Sequence, residues 1–311
     1  MAEINIEYIN SVAKCDPVSL VRNAEIKYRS FVTDIATRIA QNGEIRIILL
    51  AGPSGSGKTT TANILADALK EKGFSSLVVS LDDFYRNSDD EGYPRLVSGE
   101  RDFEAIEALN LSDIEKTLVA ISEGKEFVLP KYDFKLGRRT QEVKMPKMSH
   151  GCVIIEGLHA LNPLIFEHLD MKKVLRVFIS VSTNLNESGE RILSGRKIRF
   201  MRRMVRDSLY RASDAEKTLS LWENVLQGED KNLYPFRKYA DVQFDTFHAF
   251  EIGVMKPYVK ALISKELAEK NEYAKAVLNA ASKASGIDET LVPNDSLIRE
   301  FIEGGKYEEF Y

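Results

Sequence analysis

Apolar positions recur at helical spacing between Pro17 and Gln41, where Tyr28, Phe31, Val32, Ile35 and Ile39 would share one face. Pro17 stands near the start and Asn42-Gly43 supplies a stop, so the spacing predicts an amphipathic helix. Ile45 to Leu50 follows as a nearly unbroken run of β-branched residues and leucine ending at Ala51-Gly52, the pattern of a parallel strand buried on both faces. Thr59 to Lys72 reads as a helix and Leu77 to Leu81 as the next strand, so two strands flank one helix at βαβ spacing. Gly151 to Ile155, Val174 to Val181 and the weaker Asp241 to Phe244 bring the apolar runs to five. A doubly wound parallel α/β sheet with helices on both faces accounts for all of them. Beyond it, 251–270 and 272–285 read as helical, and 296–303 as a short helix stopped by Gly304-Gly305. The expected organisation is an N-terminal helical extension over 1–43, an α/β domain over 44–250, and C-terminal helices over 251–311 packed on it.

Composition changes little in this picture and excludes several function classes. With 44% hydrophobic and 29% charged residues, the 311-residue chain suits a soluble globular protein with a sizeable core. Its 43 Lys and Arg against 47 Asp and Glu leave a net charge of −4, so a global attraction to nucleic acid or to an anionic membrane is not expected. Cys15 and Cys152 are far apart and unpatterned, which argues against a disulfide framework and a cysteine metal site; beside Val153, Cys152 reads as a buried small hydrophobe. The opening MAEINIEYIN lacks the basic and apolar regions of an export signal, and no run approaches a membrane span, so a cytoplasmic location is expected.

Gly52-Pro53-Ser54-Gly55-Ser56-Gly57-Lys58-Thr59 matches G-x-x-x-x-G-K-[ST] in full and lies between a buried strand and a helix, where this loop must lie to work. Its glycines allow a tight turn that points successive N–H groups inward, and the helix N-terminus adds positive potential. Lys58 would reach the β and γ phosphates and Thr59 would offer its hydroxyl to Mg²⁺, with Thr60 completing the nucleotide contacts. A nucleoside triphosphate with Mg²⁺ is the implied ligand, and the lack of an Asn-Lys-x-Asp element disfavours GTP. Asp82 follows the second strand at the carboxyl edge of the sheet, where ligands bind in open α/β folds; a carboxylate there could take the proton of an attacking hydroxyl, or could cap a turn.

Ser80-Leu81-Asp82-Asp83-Phe84-Tyr85 after such a loop resembles the uridine kinase and phosphoribulokinase family of P-loop kinases. Asp102-Phe103-Glu104, Pro130-Lys131-Tyr132-Asp133-Phe134, Ile154-Ile155-Glu156-Gly157, Arg202-Arg203-Met204-Val205-Arg206-Asp207 and Lys238-Tyr239-Ala240-Asp241 follow in the family's order, over about residues 45–245. Glu156 to Pro163, with Val292-Pro293 and Arg299-Glu300-Phe301-Ile302, is most similar to a bacterial nucleoside (uridine) kinase-like subgroup. The resemblance implies ATP and Mg²⁺, with Asp82 as catalytic base and Glu156 as a strand-end carboxylate acting on the metal directly or through water. It implies that Tyr85 walls the acceptor pocket, that Tyr132 contacts a base, and that Arg203 and Glu104, or less closely Asp102, hold ribose hydroxyls. Arg199, Arg202, Arg203, Arg206 and Arg211 fall where the family keeps its lid, around 195–230, and Arg206 and Arg211 are the expected phosphate-closing arginines. A run of this kind is otherwise a solvated face, and an RNA-binding stripe is opposed by the acidic whole and the lack of interleaved aromatics.

One departure bears on the acceptor. Uridine kinases place a histidine a few residues beyond the Tyr-Asp-Phe element, where this chain has Gly137, so His159 becomes the candidate substitute reader. Arg138 or Arg139 could instead bind a sugar phosphate. The leading expectation is transfer of the γ-phosphate of ATP to the 5′-hydroxyl of a uridine- or cytidine-like nucleoside. A sugar-phosphate or other small-alcohol kinase is the alternative, and a catalytically silent nucleotide-binding regulator the third reading. The expected partner is a small-molecule acceptor, with neither nucleic acid nor membrane; a homo-oligomer is compatible with the sequence.

Overall fold

In the computed structural model, which describes residues 2–96, 99–148 and 150–308, the chain opens with β1 (Glu3–Asn5) and α1 (Ile6–Cys15). The anticipated amphipathic helix follows as α2 (Pro17–Asn42). Asp16 caps it by accepting the Ser19 N–H at 3.0 Å, Pro17 occupies its first turn, and Gly43 ends it in the left-handed region at φ 67°. Then come β2 (Ile47–Ala51), α3 (Lys58–Glu71) and β3 (Ser75–Ser80), the expected βαβ unit. After α4 (Leu111–Ser122), an antiparallel hairpin is formed by β4 (Phe127–Asp133) and β5 (Arg138–Met145). The sheet resumes with β6 (Gly151–Glu156), α5 (Pro163–Phe166) and β7 (Val174–Ser180), and a second hairpin pairs β8 (Asn184–Glu187) with β9 (Glu190–Leu193). Two long helices, α6 (Gly195–Tyr210) and α7 (Ala215–Asn232), precede β10 (Val242–Asp245), α8 (Glu251–Leu262), α9 (Lys265–Lys270) and α10 (Glu272–Lys283).

The five apolar runs become one five-stranded sheet in the order β10-β7-β2-β6-β3, parallel throughout. Along each strand, side chains alternate between two cores. Ile48, Leu50, Ile154 and Ile179 face a larger core shared with α1, α2, α3, α6, α8 and α10, whereas Ile47, Leu49, Ile155 and Phe178 face a smaller one that includes α4 and β4. Cys152 is buried in the larger core, and burial pushes its thiol up to about 12, so it behaves as the expected small hydrophobe. In register, Glu156 at the end of β6 lies between Leu50 of β2 and Ser80 of β3. That single register brings the loop after β2, the carboxylate ending β6 and the acidic turn after β3 to one edge of the sheet.

Two C-terminal elements differ from the sequence reading. The helix expected over 251–270 breaks at Ile263 and Ser264, because the Ser264 hydroxyl accepts the Leu267 N–H at 3.1 Å and starts α9 as a new helix. The helix expected over 296–303 is a 3₁₀ turn over Leu297–Glu300, with Leu297, Ile298, Phe301 and Ile302 fully buried. Met1 and residues 309–311, the outer ends of the two expected extensions, lie outside the described residues.

Candidate active site

The loop between β2 and α3 has no room behind it. A Cβ on Gly52 would sit 2.5 Å from the Ile179 carbonyl oxygen, and one on Gly55, where φ is 73°, 2.7 Å from the Arg199 carbonyl oxygen. Glycine at these positions therefore lets the backbone lie against β7 and α6. Ser54, Gly55, Gly57, Lys58 and Thr59 line a cavity of about 310 Å³; Ser56 and Thr60 lie beneath it, fully buried, and Gly52 and Pro53 are buried behind it. A second cavity of about 560 Å³ shares Thr59, Asp82, Glu156, Arg206 and Arg211 with the first.

Asp82 opens onto both cavities. Its turn is set by the Ser80 hydroxyl, which accepts the Asp82 N–H at 3.3 Å. The two acids of this turn divide the work. Asp83 pairs with Lys131 at 2.7 Å and so docks the β4–β5 hairpin, whereas Asp82 is left facing the cavity. Although the Asp82 carboxylate is reachable by water, the protein mass around it raises its pKa; Lys58 and Arg211 pull the other way and Asp83 adds to the rise. Glu156, buried at the strand end, is pushed up to about 7 mainly by burial, against the opposing pull of Lys58. Thr59 and Glu156 offer hard oxygens of the type Mg²⁺ prefers when it retains most of its waters, and among the described residues no cluster of three or more acidic, histidine or cysteine side chains would hold a metal alone.

On the other side, Tyr85, Phe103, Leu109 and Phe134 wall the cavity. Glu104 reaches it with its carboxyl pushed up to about 7 by burial, opposed by Arg203. His159 also lines it, 3% exposed; burial lowers its pKa to about 4, against the opposing pull of a hydrogen bond with the Glu104 main chain, so the ring is neutral and offers one donor and one acceptor. Tyr132 is not among the lining residues. It packs behind the wall, its ring 5.6 Å from Tyr85 and 5.1 Å from Phe134. Gly137 is a hairpin-turn residue at φ 64°, and a Cβ there would lie 2.5 Å from the Ser88 hydroxyl oxygen, so a histidine would bear backbone strain and require the Ser88 side chain to move. Arg139 is fully engaged, donating to Asp113 at 2.6 Å and to the carbonyls of Tyr85 and Phe84, and neither it nor Arg138 lines the cavity.

The arginine-rich helix α6 is neither a solvated face nor a stripe. Arg199 and Arg202 are fully buried in ion pairs with Glu229 and Glu251, at 2.7 and 2.6 Å. From there they donate to the carbonyls of Ser54 and Gly55, at 2.7 and 3.2 Å, gripping the loop from behind. Glu229 completes the grip by accepting the Ser54 N–H at 2.9 Å. Arg203 bonds the Ser54 hydroxyl at 2.9 Å and lines the cavity with Arg206 and Arg211. Glu229 and Glu300 line the same cavity and were not expected from sequence; Glu300 stands within the Arg299-Glu300-Phe301-Ile302 run, the sole signal that could have pointed to it.

A parallel sheet with a complete G-x-x-x-x-G-K-[ST] loop at its central strand, facing strand-end carboxylates across one cavity, defines a P-loop phosphate-binding protein. The model described as the Phosphoribulokinase / Uridine kinase family matches residues 47–252, and the chain belongs to that family. It is 26% identical over 243 residues to a uridine kinase of Saccharomyces cerevisiae, covering 77% of this chain and 44% of that one. A uridine kinase of Schizosaccharomyces pombe is 29% identical over 61% of this chain and 37% of its own length, so the chain spans less than half of either relative. A uridine kinase of Borrelia hermsii is 28% identical over 64% of this chain and 85% of its own.

Proposed function

We propose that the chain transfers the γ-phosphate of ATP to a hydroxyl of a nucleoside. The observation that carries this reading is one cavity lined by Lys58 and Thr59 of the phosphate loop, by Asp82, and by an aromatic wall of Tyr85, Phe103 and Phe134. In the reaction the acceptor oxygen attacks the γ-phosphorus, the bond to the β-phosphate oxygen breaks, ADP leaves, and the acceptor's proton passes to Asp82. Lys58, Arg206 and Arg211 balance the charge on the phosphates. Thr59 and Glu156 would hold Mg²⁺, which when bound neutralises charge on the β and γ phosphates. Glu104 and Arg203, which line the same cavity, would take the ribose hydroxyls. His159, neutral and lining the cavity, would offer a ring nitrogen to the base, the role that the turn at Gly137 leaves open. Against the sugar-phosphate reading, neither of its candidate cations, Arg138 and Arg139, lines the cavity, and Arg139 is committed to Asp113 and main-chain carbonyls.

The test is ADP release from MgATP with uridine, cytidine, adenosine, guanosine, inosine and several pentose phosphates presented singly. A nucleoside is expected to stimulate release well above the rate with ATP alone. Stimulation only by a pentose phosphate would replace the nucleoside reading.

A further inference from the structure

The matched family segment ends at residue 252, yet one wall of the cavity comes from residue 300. Glu300 is 4% exposed and lines both cavities. One of its carboxylate oxygens accepts from the Thr60 hydroxyl at 2.8 Å and the Thr60 N–H at 3.4 Å, at the N-terminus of α3. The other lies 3.6 Å from the Arg206 guanidinium, whose opposite side is held by Asp207 at 3.1 Å. The segment carrying Glu300 is fixed in place. Leu297 packs against Gly57 so closely that a Cβ there would sit 2.6 Å from it; the Arg202 guanidinium lies 5.1 Å above the Phe301 ring; and Tyr210 donates to the Ile302 carbonyl at 3.1 Å. A carboxylate so anchored cannot swing aside for a ligand. It therefore acts by orienting what it touches.

We propose that Glu300 is a positioning residue of the phosphate site: it bridges the phosphate loop to Arg206 and holds that guanidinium facing the cavity. The C-terminal segment thereby becomes part of the nucleotide-binding unit. This rests on the reading of the cavity as a nucleotide site. Held between Asp207 and Glu300, Arg206 can meet an incoming phosphate without first losing side-chain freedom, which is where preorganisation gains affinity.

Glu300→Gln isolates the contact, because the amide oxygen can still accept from Thr60 while an NH₂ group replaces the oxygen that faces Arg206. MgATP affinity is measured for the parent, Glu300→Gln, Arg206→Ala and the double variant. Glu300→Gln is expected to weaken binding about tenfold, a change of about 1.4 kcal/mol, and the double variant to bind within about twofold of Arg206→Ala. Parental or tighter binding by Glu300→Gln would overturn the proposal. So would losses that multiply in the double variant, since a residue that merely props the fold weakens binding whether or not Arg206 is present. None of these readouts needs phosphoryl transfer, so a protein that binds MgATP and phosphorylates nothing would sink the transfer reading while leaving this one decidable.

Discussion

Glu156 and Glu104 sit where burial pushes both carboxyls up to about 7, from ordinary values of 4.5. A carboxyl whose folded pKa is raised contributes stability that is fully present below its unfolded value and is lost as pH rises through the folded value. The ligand-free protein should therefore lose stability between about pH 4.5 and 7 on account of these two groups. Glu156→Gln, which removes the charge from a position facing Lys58 and Asp82, should flatten that decline and raise the melting midpoint above pH 7 by about 2 to 4 °C. Thermal melts of parent and variant across this range decide it, and parallel profiles would show that Glu156 is not held protonated. At this scale the loop from Gly52 to Thr59 was legible because its residues are contiguous, and Asp82 because it directly follows a strand. Glu229 and Glu300 were not legible, because they meet Ser54 and Thr60 across 175 and 240 residues.

Among the elements, α6 joins the phosphate loop to the rest of the fold. Arg199 and Glu229 are both about 1% exposed, so neither charge has water to fall back on. Breaking such a pair by neutralising one partner costs about 3 to 5 kcal/mol. Glu229→Gln should therefore lower unfolding free energy by that order and weaken MgATP binding, because the Ser54 amide loses its charged acceptor; urea titration and nucleotide titration read the two effects. Stability within about 1 kcal/mol of the parent would mean that Arg199 finds another partner. The basic spacing of α6 was visible in the sequence, but its direction was not: Arg199 and Arg202 point into protein because Glu229 and Glu251, on separate helices, are there to receive them. Four of the five sheet strands were legible from their apolar runs and the fifth, β10, only weakly, because the strand holds Gln243 and Asp245. The β4–β5 hairpin was not, since β5 is largely exposed and carries Arg138, Arg139, Gln141, Glu142 and Lys144. The strands β1, β8 and β9 are three or four residues long, too short for a periodicity to register.

Over the whole molecule, the larger core runs without interruption from Ile6 and Ile9 through the sheet to Phe301 and Ile302, so both ends of the chain share the core that backs the sheet. The parallel topology was predictable from the order of strand and helix patterns. The closing of the cavity by the C-terminal segment was not, because it depends on Leu297 fitting the space that Gly57 leaves open. In the proposed transfer this assembly moves a phosphoryl group and Asp82 takes the acceptor's proton. The most direct test compares Asp82→Asn with the parent in two assays, nucleoside-stimulated ADP release and MgATP affinity. Turnover should fall at least about 10²-fold while nucleotide affinity stays nearly unchanged, as expected for a base that touches only the acceptor. Parental turnover in Asp82→Asn would exclude Asp82 as the base.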